Sequence, residues 1–233
     1  EKTVISNLKT ELQNRDINKN LKKGILYCLS EYSNGEVIKL IKNQINKNDL
    51  DMSIAAADAL LKIAKRQSHS FPFNEYFFET VNDFANQYFR LSCFKLSISN
   101  TTSATLIVDQ IANEMEKILY IVLKLVTLSF PNSPIDSHIK NIIAGNDEDL
   151  PYILEFFDTT FDKNTRKILM PIVDPESDYK EKSIKKEQKK NPIKKWLKLW
   201  SESTNQWKSA ISVDYLMKNK RHDLTGINWD SIN

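Results

Sequence analysis

The chain has 233 residues, with 33 Lys+Arg against 30 Asp+Glu for a net charge of +3, 41% apolar residues, and only four Gly, seven Pro and two Cys. That length supports one large domain or two small ones with a shared core. Four glycines are too few for the tight turns of a sandwich, a barrel or a doubly wound sheet, which leaves an all-α chain as the expected class.

Apolar residues recur at helical spacing along the whole chain. Val4, Ile5, Leu8 and Leu12 predict a first short helix. Leu21, Ile25, Cys28, Leu29 and Tyr32 predict a second, ended by the turn signal Asn34-Gly35. Val37, Ile38, Leu40, Ile41 and Ile45 predict a third. The polar cluster Asn48-Asp49-Leu50-Asp51 is a strong N-cap for a fourth, whose stripe of Met52, Ala55, Ala56, Ala59, Leu60 and Ile63 lets a neighbouring backbone approach closely.

Two longer helices follow. Phe77, Val81, Phe84, Tyr88, Leu91, Phe94 and Ile98 alternate by threes and fours, as do Ala104, Val108, Ile111, Met115, Ile118, Val122 and Leu125. The polar link Ser99-Asn100-Thr101-Thr102 is short, which favours an antiparallel hairpin over about 74–129 rather than a coiled-coil dimer seam. Past Phe130-Pro131-Asn132-Ser133-Pro134 the pattern returns to short helices, at about 135–144, 148–160, 162–173, 192–203 and 205–219. Short helix pairs joined by brief polar turns are the unit of an α-solenoid. The expected organisation is a repeat domain over 1–179, a lysine-rich linker over 180–191, and a terminal helical pair and tail over 192–233.

Compartment signals are sparse. Cys28 and Cys93 fit no metal, redox or disulfide spacing, so a reduced, intracellular setting is expected. The richest apolar run, Ile118 to Phe130, is interrupted by Lys124, Thr127 and Ser129 and falls short of the ~20 apolar residues of a membrane span. A soluble segment is expected, and its start at Glu1 without a signal-peptide pattern is that of a piece of a longer protein.

Leu21 to Ile63, with the Gly35-Glu36-Val37 turn and the helix start from Asp49 to Ala59, resembles a HEAT repeat. Met115 to Asp174 resembles a domain appended to bacterial major-facilitator-type transporters related to nucleotide (ADP/ATP) translocases. The matching motifs are the apolar run from Ile118-Leu119 to the Phe130-Pro131 turn, the segment Leu154-Glu155-Phe156-Phe157-Asp158-Thr159-Thr160-Phe161, and the closing Pro171-Ile172-Val173-Asp174. Pro151 and Tyr152 depart from that pattern, standing where small residues are usual. The resemblance implies a HEAT-like α-solenoid of antiparallel helix pairs with a long central helical hairpin. It further implies a non-enzymatic interaction or regulatory role in the cytoplasm, tethered to the inner membrane through a part of the protein outside this chain. The implied partner is the transporter itself or another protein.

Chemistry-bearing motifs are scarce. The sequence has no Gly-rich phosphate loop, HExxH, CxxC or G-x-S-x-G, so no cofactor and no catalytic or metal residue is expected. His69, His138 and His222 lie in or beside polar turns and read as surface residues. Glu155 and Asp158, three apart on a helix, read as a face neutralised by Lys163, Arg166 and Lys167 rather than an acid–base pair. Asn146-Asp147-Glu148-Asp149 lacks the spacing of a calcium loop and reads as helix N-terminal charge. Phe71, Phe73, Tyr76, Phe77 and Phe78 read as core.

One surface stands out. Lys180 to Lys198 holds nine lysines and two acids; removing them from the totals of 33 and 30 leaves 24 basic against 28 acidic residues elsewhere. The candidate residues are Lys185, Lys186, Lys189, Lys190, Lys194, Lys195, Trp196, Lys198 and Trp200. Ile193, Trp196, Leu197 and Trp200 fall at i, i+3, i+4 and i+7, and three readings stand. The apolar face packs into the last helical pair while the lysines are solvated; or the segment lies on an anionic membrane surface; or it binds nucleic acid through lysine–phosphate contacts and Trp stacking.

Overall fold

The computed structural model describes residues 2–67, 71, 75–98, 104–131, 133, 135–143, 147–174, 193–203 and 205–219. These hold eleven α-helices, one 3-10 turn and no strand. The helices are α1 (Lys2–Gln13), α2 (Lys19–Leu29), α3 (Gly35–Lys42), α4 (Leu50–Gln67), α5 (Glu75–Ile98), α6 (Thr105–Ser129), α7 (Ile135–Ile143), α8 (Leu150–Thr160), α9 (Lys163–Val173), α10 (Ile193–Ser201) and α11 (Gln206–Lys218), with the 3-10 turn at Asp147–Asp149. Among them no helix is long and apolar enough to cross a membrane.

The chain forms two compact units, Glu1–Gln87 with Glu116–Asp174, and Tyr88–Met115 with Pro175–Asn233. In the first, α2 packs on α1 and α4, α3 on α4, and α8 on α9. Ala56, Ala57, Ala59 and Ala64 are all buried along α4, and their small side chains let α2 and α3 approach it closely. The last turns of α6 are enclosed nearly all round: Ile121 to Leu123 and Leu125 to Ser129 are buried, as expected of a helix apolar on every side. In the second unit α10 packs on α11.

Side-chain caps define many of the boundaries. Asn18 Oδ1 accepts from Leu21 N at 2.9 Å and Asn34 Oδ1 from Val37 N at 2.9 Å. Asp49 Oδ1 accepts from Met52 N at 3.2 Å, and Asp162 Oδ1 from Asn164 N at 2.7 Å and Thr165 N at 3.2 Å. Each satisfies amide groups that the first helical turn leaves without partners. Asn34, rather than Gly35, makes the break between α2 and α3; Gly35 is already the first residue of α3.

The long-helix pattern is realised throughout α5, and along α6 except at the half-buried Val108 and Met115. Phe77, Val81, Phe84, Tyr88, Leu91, Phe94 and Ile98 are all buried. In the first unit Phe71 N, just before α5, donates to Leu128 O near the end of α6 at 2.9 Å. In the second, Ser92 Oγ lies 3.9 Å from Met115 Sδ, so the two helices run in opposite directions.

The fully buried Leu60 and the cap Asn34 separate packing from local structure. Leu60→Ala is expected to lower stability by about 2–5 kcal/mol and Asn34→Ala by about 1 kcal/mol. Urea unfolding followed by circular dichroism checks this ordering, and a capping loss equal to the core loss would contradict it.

Candidate functional site

The lysine-rich segment divides when its structure is considered residue by residue. Lys185, Lys186, Lys189 and Lys190 lie outside the described residues, and Lys194 and Lys195 fall in the first turn of α10. Leu197 is buried and Trp200 is only 4% exposed. Both indoles meet Phe94: Trp196 stacks on it at 5.9 Å and 18°, and Trp200 meets it edge-on at 5.5 Å and 90°. Lys208 Nζ lies 5.4 Å above the Trp200 ring and pairs with the buried Glu114. Trp200 is thus a core residue of the second unit, and among the described side chains of α10 Lys198, 3.9 Å from Glu202, and Leu199 are exposed.

A second charged surface, absent from the sequence candidates, is built on α4. Its inner face buries Ala56, Ala57, Leu60, Ile63 and Ala64. The 3.6-residue period therefore turns Asp58, Lys62, Lys65 and Arg66 to one outer side. With Leu61, and with Lys124 from α6 and Asp136 from α7, they line a concavity of about 530 Å³.

The register of α4 against α6 follows from two ion pairs. Lys117 Nζ donates to Asp51 Oδ1 at 2.8 Å, and seven residues further along both helices Lys124 Nζ lies 3.3 Å from Asp58 Oδ1. The numbering rises together, so α4 and α6 run parallel. Between these rungs Tyr120 donates its hydroxyl to Asp58 Oδ1 at 3.0 Å. Lys124 also donates to Asp136 Oδ1 at 2.9 Å, while Lys65 holds Asp136 Oδ2. Asp136 stands in the first turn of α7, where the helix dipole favours a negative charge. At the other side of the concavity, Lys62 and Arg66 both hold Glu31, in the turn after α2, with Arg66 Nη1 3.0 Å from Glu31 Oε2. Lys62 Nζ sits 3.8 Å above the Tyr27 ring.

Burial and charge act against each other here. Burial pushes Lys124 down, but the Asp136 hydrogen bond and the Asp58 charge outweigh it and hold the ammonium well above its usual range. Burial likewise raises Asp136, but the hydrogen bonds from Lys65 and Lys124 bring it below the usual carboxylate range. Tyr120 is raised by burial and then by the Asp58 charge. Asp51 is lowered chiefly by its bond from Lys117.

Several other residues make structural contacts. His138 is not a loose surface residue: its Nδ1 is 2.9 Å from Asp149 Oδ1 and its ring stacks on Tyr152. Asn141 Nδ2 donates to Asp149 Oδ2 at 2.7 Å, so this acid ties α7 to the 3-10 turn. Asp158 pairs with Arg166, matching the neutralised face expected there. Phe71 and Phe77 are buried, whereas Phe73 lies outside the described residues, as do His69 and His222. Among the described residues no group of three or more His, Cys, Asp or Glu is placed to hold a metal ion.

The architecture is all-helical among the described residues, with ion pairs and side-chain caps around helix–helix contacts. No family model matches the chain, and neither does any curated protein or solved structure.

The signs of these shifts set a pH dependence. Asp136, lowered in the folded state, contributes stability above its unfolded value of about 3.9 that is lost as pH falls through its folded value. Lys124, raised, contributes stability below about pH 10.4 that is lost as pH rises through its folded value. Asp136→Asn is expected to cost roughly 1–2 kcal/mol at pH 7, between exposed and fully buried pairs. That cost should shrink below about pH 4, and urea unfolding at pH 7 and pH 3 checks it; an equal cost at both would assign the loss to shape rather than charge.

Proposed function

We propose that this chain is a non-enzymatic helical-repeat interaction module that holds an acidic segment of a partner protein in the concavity on α4. The observation that carries the reading is the placement of four cationic side chains from two helices, Lys62, Lys65, Arg66 and Lys124, around one solvent-open hollow. The hollow is shallow and open to solvent, and its mixture of lysine and arginine suits carboxylates presented on an extended or helical segment. The pairing of helices adjacent in the chain, α1 with α2, α3 with α4, α8 with α9 and α10 with α11, supports a HEAT-like solenoid as its architecture.

The proposed setting is the cytoplasmic part of a bacterial transporter-like membrane protein, with the transporter's own domain or another protein as partner. Contact of the lysine-rich segment with an anionic membrane surface belongs to that setting, and the outward Lys198 and Leu199 are consistent with it. Nucleic-acid binding through Lys180 to Lys198 is less well supported. Stacking on a base needs an uncovered aromatic face, and Trp200 is taken up by Phe94 and Lys208.

A fluorescently labelled peptide rich in Asp and Glu, followed by anisotropy, tests the reading. Lys62→Glu combined with Arg66→Glu is expected to weaken binding at least about tenfold, and raising the salt from about 50 to 200 mM to weaken it further, while Lys198→Glu leaves it unchanged. Binding lost in the Lys198 variant and kept in the α4 variant would move the site to α10.

A further inference from the structure

The two halves of the concavity are not equivalent. In the inner half two cations, Lys65 and Lys124, face two carboxylates, Asp58 and Asp136, so the charges balance. Two of these groups are largely covered, Lys124 being 13% exposed and Asp136 23%, whereas Lys65 and Asp58 reach solvent at 48% and 44%. In the outer half two cations, Lys62 and Arg66, share the single carboxylate of Glu31, one on each oxygen. What sets that half apart is that it is short of one negative charge; its groups also reach solvent, Lys62 being 34%, Arg66 38% and Glu31 52% exposed.

Of the two cations of the outer half, Lys62 has a support besides Glu31, the Tyr27 ring beneath its ammonium. Lys62 and Arg66 are four apart on α4 and project from neighbouring turns of one helix, so their like charges face one side and call for an anion between them. Glu31, by contrast, belongs to the turn after α2 and joins the clamp only through its side chain. An exposed pair of this kind gains little in water, so its carboxylate is readily displaced by a better-matched anion. A phosphate monoester carries about −1.5 to −2 charge and three acceptor oxygens, which matches two cations where one carboxylate does not. Arginine adds a planar fork that grips phosphate through two parallel bonds.

We infer that the outer half of the concavity is a seat for a phosphoryl dianion, carried on a phosphorylated serine or threonine of the acidic partner segment, and that Glu31 occupies the seat in the partner's absence. This rests on the proposed binding of an acidic protein segment and adds a switch to it. Phosphorylation of the partner supplies the charge that the clamp lacks, and the internal carboxylate sets a threshold that an unmodified segment does not exceed as easily.

Three synthetic probes test the inference on the whole chain: an acidic peptide with a central phosphoserine, the same peptide with serine, and inorganic phosphate. The phosphopeptide is expected to bind at least about tenfold more tightly than the serine peptide, and Glu31→Gln to tighten phosphopeptide binding about threefold or more by removing the competitor. Lys62→Gln with Arg66→Gln is expected to erase the preference for phosphoserine, with circular dichroism confirming that the helices persist. Equal binding of the two peptides would overturn the inference and leave the acidic-segment reading standing. Binding of neither peptide would overturn both. Inorganic phosphate binding as tightly as the phosphopeptide would overturn the assignment of the seat to a protein segment. Glu31→Gln weakening the phosphopeptide would show that Glu31 orders the clamp rather than competing for it, and would overturn the switch.

Discussion

The ammonium of Lys124 joins three helices of the first unit, and the position of each depends on it. It lies mostly covered on α6, a helix otherwise apolar in its last turns, and a covered charge is tolerated only where opposite charge and hydrogen bonds surround it. Asp58 on α4 and Asp136 on α7 supply them, at 3.3 and 2.9 Å. Meeting this requirement sets the register of α4 against α6, repeated one heptad earlier by Asp51 and Lys117, and places the start of α7 beside α4. The floor of the concavity is therefore a consequence of compensating one lysine. In the second unit α6 carries a buried acid, Glu114, and there the same rule is met by Lys208 of α11, whose stem also covers Trp200.

Local signals carried most of the secondary structure. The heptad-like positions of α5 are the buried ones, and the polar residues before α3, α4 and α9 are the caps, because period and capping are decided by neighbours within a few residues. The turn at Asn34-Gly35 was legible as a break, but its mechanism was not: the side-chain oxygen of Asn34 terminates the gap, and Gly35 adopts ordinary helical geometry. The burial of Trp200 follows from its place at i+7 from Ile193, on one face with Trp196 at i+3 and Leu197 at i+4, a face that the competing surface readings also required to be apolar.

The concavity was illegible for a different reason. Its partners are separated by 66 residues for Asp51 and Lys117, 62 for Asp58 and Tyr120, and 71 for Lys65 and Asp136, and nothing local relates them. A faint trace exists in retrospect, since Asp51 and Asp58 share a seven-residue spacing with Lys117 and Lys124. Such spacing is common on charged helix faces and becomes informative only when two helices are known to be parallel neighbours. The lysine run over 180–198 was conspicuous because it is contiguous, whereas the four cations of the concavity are mixed with acids along the chain and leave no compositional mark.

This mixing also bears on how the proposed acidic partner would be recognised. Outside the lysine run the chain carries a small acidic excess, 28 acids against 24 bases, so an acidic segment approaching α4 meets no strong attractive field from the rest of that surface. Charges more than about 8 to 10 Å away are screened at physiological salt in any case. For the proposed acidic partner, selectivity at the concavity would therefore be a contact property, set by which anion matches the spacing and excess charge of Lys62 and Arg66, and not by long-range steering. A balanced inner half and an under-compensated outer half would suit the proposed mode: the first ties the helices in register, and the second would exchange its carboxylate without breaking those ties.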